Sequence, residues 1–192
     1  MKKLVKVAVV AVGLFLTGSA VNAQQKFAHI NSQDLLQVMP EMKTADAQFQ
    51  TFQKQKQTTL EQMDAERQKK IQTYRDKEAT LSQANKDAVG KELETMAKEI
   101  EDFTKRMQET QQKAQQELAQ KQQELYNPVY QKAETAVKAV AKEKGYSYVF
   151  DISQPGVVYF DGGDDIIAAV KTKLGISATA TASSPAAGGA KK

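Results

Sequence analysis

The chain has no cysteine, no tryptophan, one histidine and four prolines in 192 residues, and each shortage closes off a class of chemistry. Without cysteine there is no disulfide scaffold, no thiolate metal site and no thiol nucleophile. The single histidine, His29, lies inside a short apolar run and has no patterned nucleophile or acid to work with, so no catalytic residue is assigned. Glycine is sparse, and Gly90-Lys91 lacks the glycine spacing and the hydroxyl of a phosphate loop. The acidic stretch Asp161-Gly162-Gly163-Asp164-Asp165 does not follow calcium-loop spacing and has no distal glutamate, so helix capping is its reading and no metal or cofactor is expected. Long apolar runs are absent as well. The run Val7 to Leu16 is ten residues, too few for a helix crossing a hydrocarbon layer of ~30 Å.

That run belongs to a different pattern. Lys2, Lys3 and Lys6 precede it and Val21-Asn22-Ala23 closes it, the layout of a cleavable secretory signal peptide over residues 1–23, with cleavage expected after Ala23. No cysteine follows that would carry a lipid. The mature chain, Gln24 to Lys192, is expected to be exported and to make no stable membrane insertion. The formal charge of +4 comes from 27 basic and 23 acidic residues. Removing the three signal lysines leaves 24 against 23, a net of +1. The bases alternate with acids and do not cluster, which argues against nucleic-acid binding.

What the chain has in quantity is helical periodicity. Between Met42 and Pro128 two apolar stripes mirror each other about Asn85. Leu81 faces Val89, Tyr74 faces Met96, Lys70 faces Ile100 and Arg67 faces Phe103. Farther out, Met63 faces Met107, Lys56 faces Ala114, Phe52 faces Leu118 and Phe49 faces Lys121. The steps of three and four on each arm keep one helix face toward a partner. Continuing the first stripe without a break would put Lys91, Thr95, Lys98 and Asp102 on the seam, so the phase breaks within Ser82 to Asp87. A long antiparallel helical hairpin over residues 40–128, with its tip near 82–87, is predicted. The segment holds no Gly or Pro, so a stutter in one very long helix is the alternative.

The flanks supply a small body, residues 24–39 and 129–176. Phe27 to Asn31 reads as a strand, with Ser32 as cap of a helical turn bearing Leu35, Leu36 and Val38. Pro40 suits the first turn of the first arm, which is expected to reach about Leu81, ~60 Å at 1.5 Å per residue. The second arm outruns it and continues through Pro128 to Lys144, where Gly145 stops it. Tyr146 to Ile152 alternates as a strand. Ser153-Gln154-Pro155-Gly156 then turns into a second strand, Val157 to Phe160, making a hairpin. Asp164 or Asp165 caps a last helix from Ile166 to Leu174. Residues 177–192, rich in Ala, Ser, Thr and Gly, are expected to form a disordered tail. Roughly sixty body residues are marginal as a lone domain, and a partner subunit is the natural remedy.

The stretch Val137-Lys138-Ala139-Val140-Ala141-Lys142-Glu143-Lys144-Gly145-Tyr146-Ser147-Tyr148-Val149-Phe150-Asp151, followed by Val158-Tyr159-Phe160 and Asp164-Asp165-Ile166, resembles the Skp/OmpH family of periplasmic chaperones. The segment Phe27 to Leu36 is similar to that family's opening strand and helix. The resemblance implies a mainly α fold with a small β body completed by trimerisation. In such a homotrimer, helical arms extend from the shared body and enclose a cavity. It also implies an ATP-independent, non-enzymatic holdase of the periplasm that keeps unfolded outer-membrane β-barrel proteins from aggregating until they reach the outer-membrane assembly machinery. The chain departs from the family's strongly basic arms, because Glu41 to Lys144 carries 19 bases and 18 acids. The alternative is a structural coiled-coil spacer or adaptor of the cell envelope that binds a folded partner.

Such a holdase needs adaptable apolar surface, for which Phe49, Phe52, Met63, Met96, Phe103 and Met107 are the candidate client-binding residues. All six sit on the seam, where gluing the two helices is the competing role. Phe27, Ile30, Tyr148, Phe150, Ile152, Val158 and Phe160 are the candidate trimer core. Lys56, Arg67 and Lys70 occupy seam positions that apolar residues would stabilise. Arm flexibility is one role for them, and long side chains snorkelling from an ordinary coiled coil is the other.

Overall fold

The computed structural model describes residues 25–157 and 159–181. The signal segment, Val158 and the tail from residue 182 lie outside the described residues. In chain order the elements are β1 (Phe27–Ile30), α1 (Ser32–Val38), α2 (Pro40–Glu78), α3 (Lys86–Lys144), β2 (Tyr148–Asp151), β3 (Asp164–Asp165) and α4 (Ile167–Lys173).

Helices α2 and α3, of 39 and 59 residues, lie against each other as an antiparallel hairpin. The long-helix alternative is thereby excluded. The break falls where the stripe phase changes, and an asparagine does the work usually given to glycine. Asn85 Oδ1 accepts from the Ser82 amide at 2.7 Å, and Asn85 Nδ2 donates to the Thr80 carbonyl at 2.9 Å. These bonds satisfy backbone groups of the turn between the two helices. The first arm stops at Glu78, three residues short of Leu81, which is exposed at the tip.

At the other end of the arm a single extended residue, Met39, separates α1 from α2, and Pro40 takes the first helical position. Proline forces its predecessor out of the helical region, so the two helices cannot merge. The cap of α1 is Asn31, whose side chain accepts from the Asp34 amide at 3.1 Å. Ser32, the cap expected from the sequence, is instead the first helical residue, and its hydroxyl donates to Asp151 Oδ2 at 2.6 Å. Helix α3 runs through Pro128 and ends at Gly145, whose φ of 72° is a left-handed stop.

The sheet is parallel, in the order β2-β1-β3. The expected hairpin is not formed among the described residues. Val157, Tyr159 and Phe160 belong to a connection, and the third strand is Asp164–Asp165, on the far side of β1. Ile166, and neither of the expected aspartates, holds the N-cap position of α4, while Asp165 just before it accepts from the Ile167 amide at 2.9 Å. The residue before this strand takes a backbone conformation that favours glycine. Gly163 has a φ of 84°, in the left-handed region where a side chain would be strained, as the chain passes the Phe27 carbonyl.

The part of α3 beyond the arm supplies Val129, Ala133, Ala136 and Val140, spaced by four, three and four. They share one buried cluster with Ala28 and Ile30 of β1, Leu35 of α1, Met39, Ile166 just before α4 and Val170 within it. The expected tail begins with fixed structure. The Ala180 amide donates to Ser177, and the buried Lys171 Nζ donates to the Ala180 carbonyl at 2.6 Å.

Candidate functional surfaces

Two surfaces stand out, the seam of the arm and the outer face of the sheet. On the seam, Val89, Leu93, Phe103 and Ala114 are buried, and Phe49, Phe52, Met63, Met96 and Met107 are half-buried. All six candidate client-binding residues therefore lie between α2 and α3. None of the six is an exposed residue.

The basic seam residues are accommodated by their stems and closed by acids. Lys56 pairs across the arm with Glu117 and sits 4.8 Å from the Phe52 ring centroid. Lys77 pairs with Glu92, and Lys70 Nζ lies 3.4 Å from Glu99. Arg67 turns instead to Asp64 of its own helix, 2.7 Å away. The hydrogen bond from Lys56 holds the Glu117 carboxyl below the usual range. Phe103 is flanked by cations, with Arg106 at 5.2 Å and Lys70 at 6.0 Å from its centroid.

The base of the arm holds a cluster that the stripes do not single out. Tyr126 donates to Asp46 Oδ1 at 2.7 Å, meets Phe49 edge-on at 5.9 Å, and stacks on Tyr130 at 6.3 Å. Burial and then the Asp46 carboxylate push the Tyr126 phenol up to about 12. Glu41 and Lys132 pair close by. A tyrosine one place off the seam is the signal for this cluster in the sequence.

On the outer face of the sheet, parallel pairing brings Phe27 beside Tyr148 and His29 beside Phe150. Phe27, Tyr148 and Phe150 stack with centroids 5.7 to 6.3 Å apart, yet they are 43%, 53% and 46% exposed. Phe160 covers His29 at 4.9 Å and is half exposed itself. His29 Nδ1 is buried with no hydrogen-bond partner among the described residues. Four of the seven candidate trimer-core residues thus share this face. Ile30 does not. It points to the opposite side and is 3% exposed within its own chain, because strand residues alternate faces. Ile152 is half-buried just beyond β2, its amide bonded to the Ile30 carbonyl at 2.9 Å. Val158 lies outside the described residues. The outer edges of β2 and β3 have no strand neighbour among the described residues.

Asp151 ties this sheet to the root of α1. Its carboxylate accepts from the amides of Ser32 and Ser153 and from both hydroxyls, at 2.6 to 3.1 Å. Burial works to raise its pKa, but these bonds prevail and the net direction is downward.

The model of the OmpH-like outer membrane protein family matches residues 26–174. Among solved structures, the chain is similar to a protein from Caulobacter crescentus CB15 whose name gives it as an OmpH-like outer membrane chaperone. The two share 20% identity over 82% of this chain and 88% of that one, with a TM-score of 0.63. At that identity the likeness speaks to the fold. No curated protein matches the chain.

Proposed function

Because the chain belongs to the OmpH-like family, we propose that it is an ATP-independent periplasmic holdase for unfolded outer-membrane β-barrel proteins. The observation that carries the reading is the exposed aromatic face of Phe27, Tyr148, Phe150 and Phe160 on a sheet with two free edges among the described residues. Contiguous apolar surface of this kind is a joining surface in soluble proteins, and unpaired edges extend it. Three copies joined through it would form a common body, with the hairpin arms projecting around a cavity. Clients would be held there by contact with the arms and released to the assembly machinery without nucleotide. Phe49, Phe52, Met63, Met96, Phe103 and Met107 would reach clients where the seam opens. Lys56, Arg67 and Lys70 mark the layers where opening would begin.

Sedimentation velocity on Gln24 to Lys192, alone and after dilution of an unfolded outer-membrane barrel from urea, tests this directly. An elongated three-chain species that takes up the barrel and keeps it soluble is expected. A three-chain species that leaves the barrel to aggregate refutes the holdase and favours an envelope spacer. That second reading draws on one specific feature, the use of the arm's large apolar side chains in closing the hairpin itself.

A further inference from the structure

The ion pairs between the two helices leave one stretch of the seam untied. Lys56 pairs with Glu117, and Lys70 pairs with Glu99. Between these ties lies ~20 Å of arm at 1.5 Å per residue. No hydrogen bond or ion pair joins α2 to α3 there among the described residues, because Arg67 is taken up by Asp64 of its own helix. Packing alone closes this window. Its layers place Leu60 opposite Thr110, Met63 opposite Met107 and Arg67 opposite Phe103. Of these three, the methionine layer is the central one, and it alone draws a large apolar side chain from each helix.

With no cysteine and no tryptophan in the chain, methionine is its most readily oxidised side chain. Met39 is fully buried in the body. Met63, Met96 and Met107 are half-buried on a two-helix seam that water reaches from both sides, so a small peroxide can reach their sulfurs. The thioether lone pair attacks one peroxide oxygen and the O–O bond breaks. After a proton shift water leaves and a sulfoxide remains, the sulfur having given two electrons to the peroxide. A sulfoxide oxygen is polar and costly to bury without a donor. Met96 borders a cavity lined by Lys69, Lys70 and Thr73, all of which carry donors. Around Met63 and Met107 the seam donors are already engaged, Arg67 with Asp64 and the Thr110 hydroxyl with the Arg106 carbonyl.

We propose that Met63 and Met107 form an oxidation site that opens the middle of the arm. Peroxide converts both to sulfoxides, the window between Lys56 and Lys70 loses its central apolar layer, and the helices part there. The ion pairs on either side keep the hairpin in register. Parting brings the Phe103 ring, buried in the closed arm, to water. The change is reversible, because reductases return each sulfoxide epimer to the thioether. On the holdase reading the uncovered ring becomes client surface, but the site itself belongs to the single chain and does not rest on that reading.

The test treats the chain from Gln24 to Lys192 with hydrogen peroxide, maps the oxidised residues by peptide mass spectrometry and follows amide exchange. Met63, Met96 and Met107 should take up oxygen before Met39 does. Exchange in residues 60–67 and 103–110 should accelerate by at least about tenfold, while residues 129–144 hold their rates. Treatment with reductases for both epimers should reverse the acceleration. Met63→Leu combined with Met107→Leu keeps the size and apolar character of the layer and should abolish the effect, whereas Met96→Leu should leave it in place. Resistance of Met63 and Met107 to peroxide, or their oxidation with unchanged exchange, overturns the proposal. Acceleration that survives the double leucine variant overturns it too, as does oxidation of Met39 ahead of the seam. No readout uses a client, so a failure of the holdase reading would leave these outcomes unchanged.

Discussion

Replacing Phe103 with alanine decides whether the large seam residues are glue. The ring is 4% exposed, and in the mirror it lies opposite Arg67. Burying a phenylalanine removes ~150–250 Å² from water, worth roughly 4–6 kcal/mol at ~25 cal/mol per Å². Alanine retains a fraction of that. A two-helix seam is open to water on both sides, so solvent can enter the space left behind and the cavity contribution is small. The loss should therefore fall near ~3 kcal/mol, the low end for such substitutions. The arm is nearly one-dimensional and each layer touches only its neighbours, so the loss should be local. Amide exchange in residues 64–71 and 99–107 should accelerate about a hundredfold, while residues 129–144 hold their rates. Phe103→Leu, which keeps most of the volume, should recover most of the protection. If Phe103→Ala left exchange unchanged but lowered retention of an unfolded barrel, the ring would be a client contact and its role as glue would be refuted.

Gly90 lies in the first turns of α3 with open space for at least 4 Å around the point where a methyl group would stand, so Gly90→Ala should raise arm stability by about 0.5–1 kcal/mol in urea unfolding. Asp151 has a lowered pKa in the folded chain. Its stabilisation is therefore complete above the unfolded value of ~3.9 and is lost as pH falls through the folded value. Melting temperature should drop on acidification below that range, and Asp151→Asn should flatten the drop; parallel curves would remove Asp151 from the account. Phe150→Asp places a carboxylate on the exposed aromatic face and should yield single chains in sedimentation, whereas retention of a three-chain species would exclude that face as the joining surface.

The arm is legible in the sequence because its signal is repeated. Each turn from Ala45 to Lys77 and from Val89 to Leu125 offers another residue in phase, and the cross-arm ion pairs fall within three places of the mirror about Asn85. The body is less legible because its strands are too short to repeat anything. Val157 to Phe160 has the β-branched and aromatic composition of a strand, and Ser153 to Gly156 has that of a turn. Composition says nothing of which edge is free, and β1 occupies the edge of β2 inside the chain. The strand that completes the sheet is two aspartates long, with no apolar pattern to reveal it. Ile30 and Phe27 group together by apolar character, although three residues apart in a strand puts them on opposite faces.

The near-neutral charge of the arm acquires a meaning from the pairing. Lys56, Lys70, Lys77 and Lys132 are each matched by a glutamate on the other helix, Glu117, Glu99, Glu92 and Glu41. Exposed pairs of this kind contribute little stability individually. A sliding of one helix past the other by a turn would break all four together, so their value lies in fixing register. Charges committed in this way do not add to a long-range positive field. A holdase built on such arms would gather its clients by apolar contact at short range.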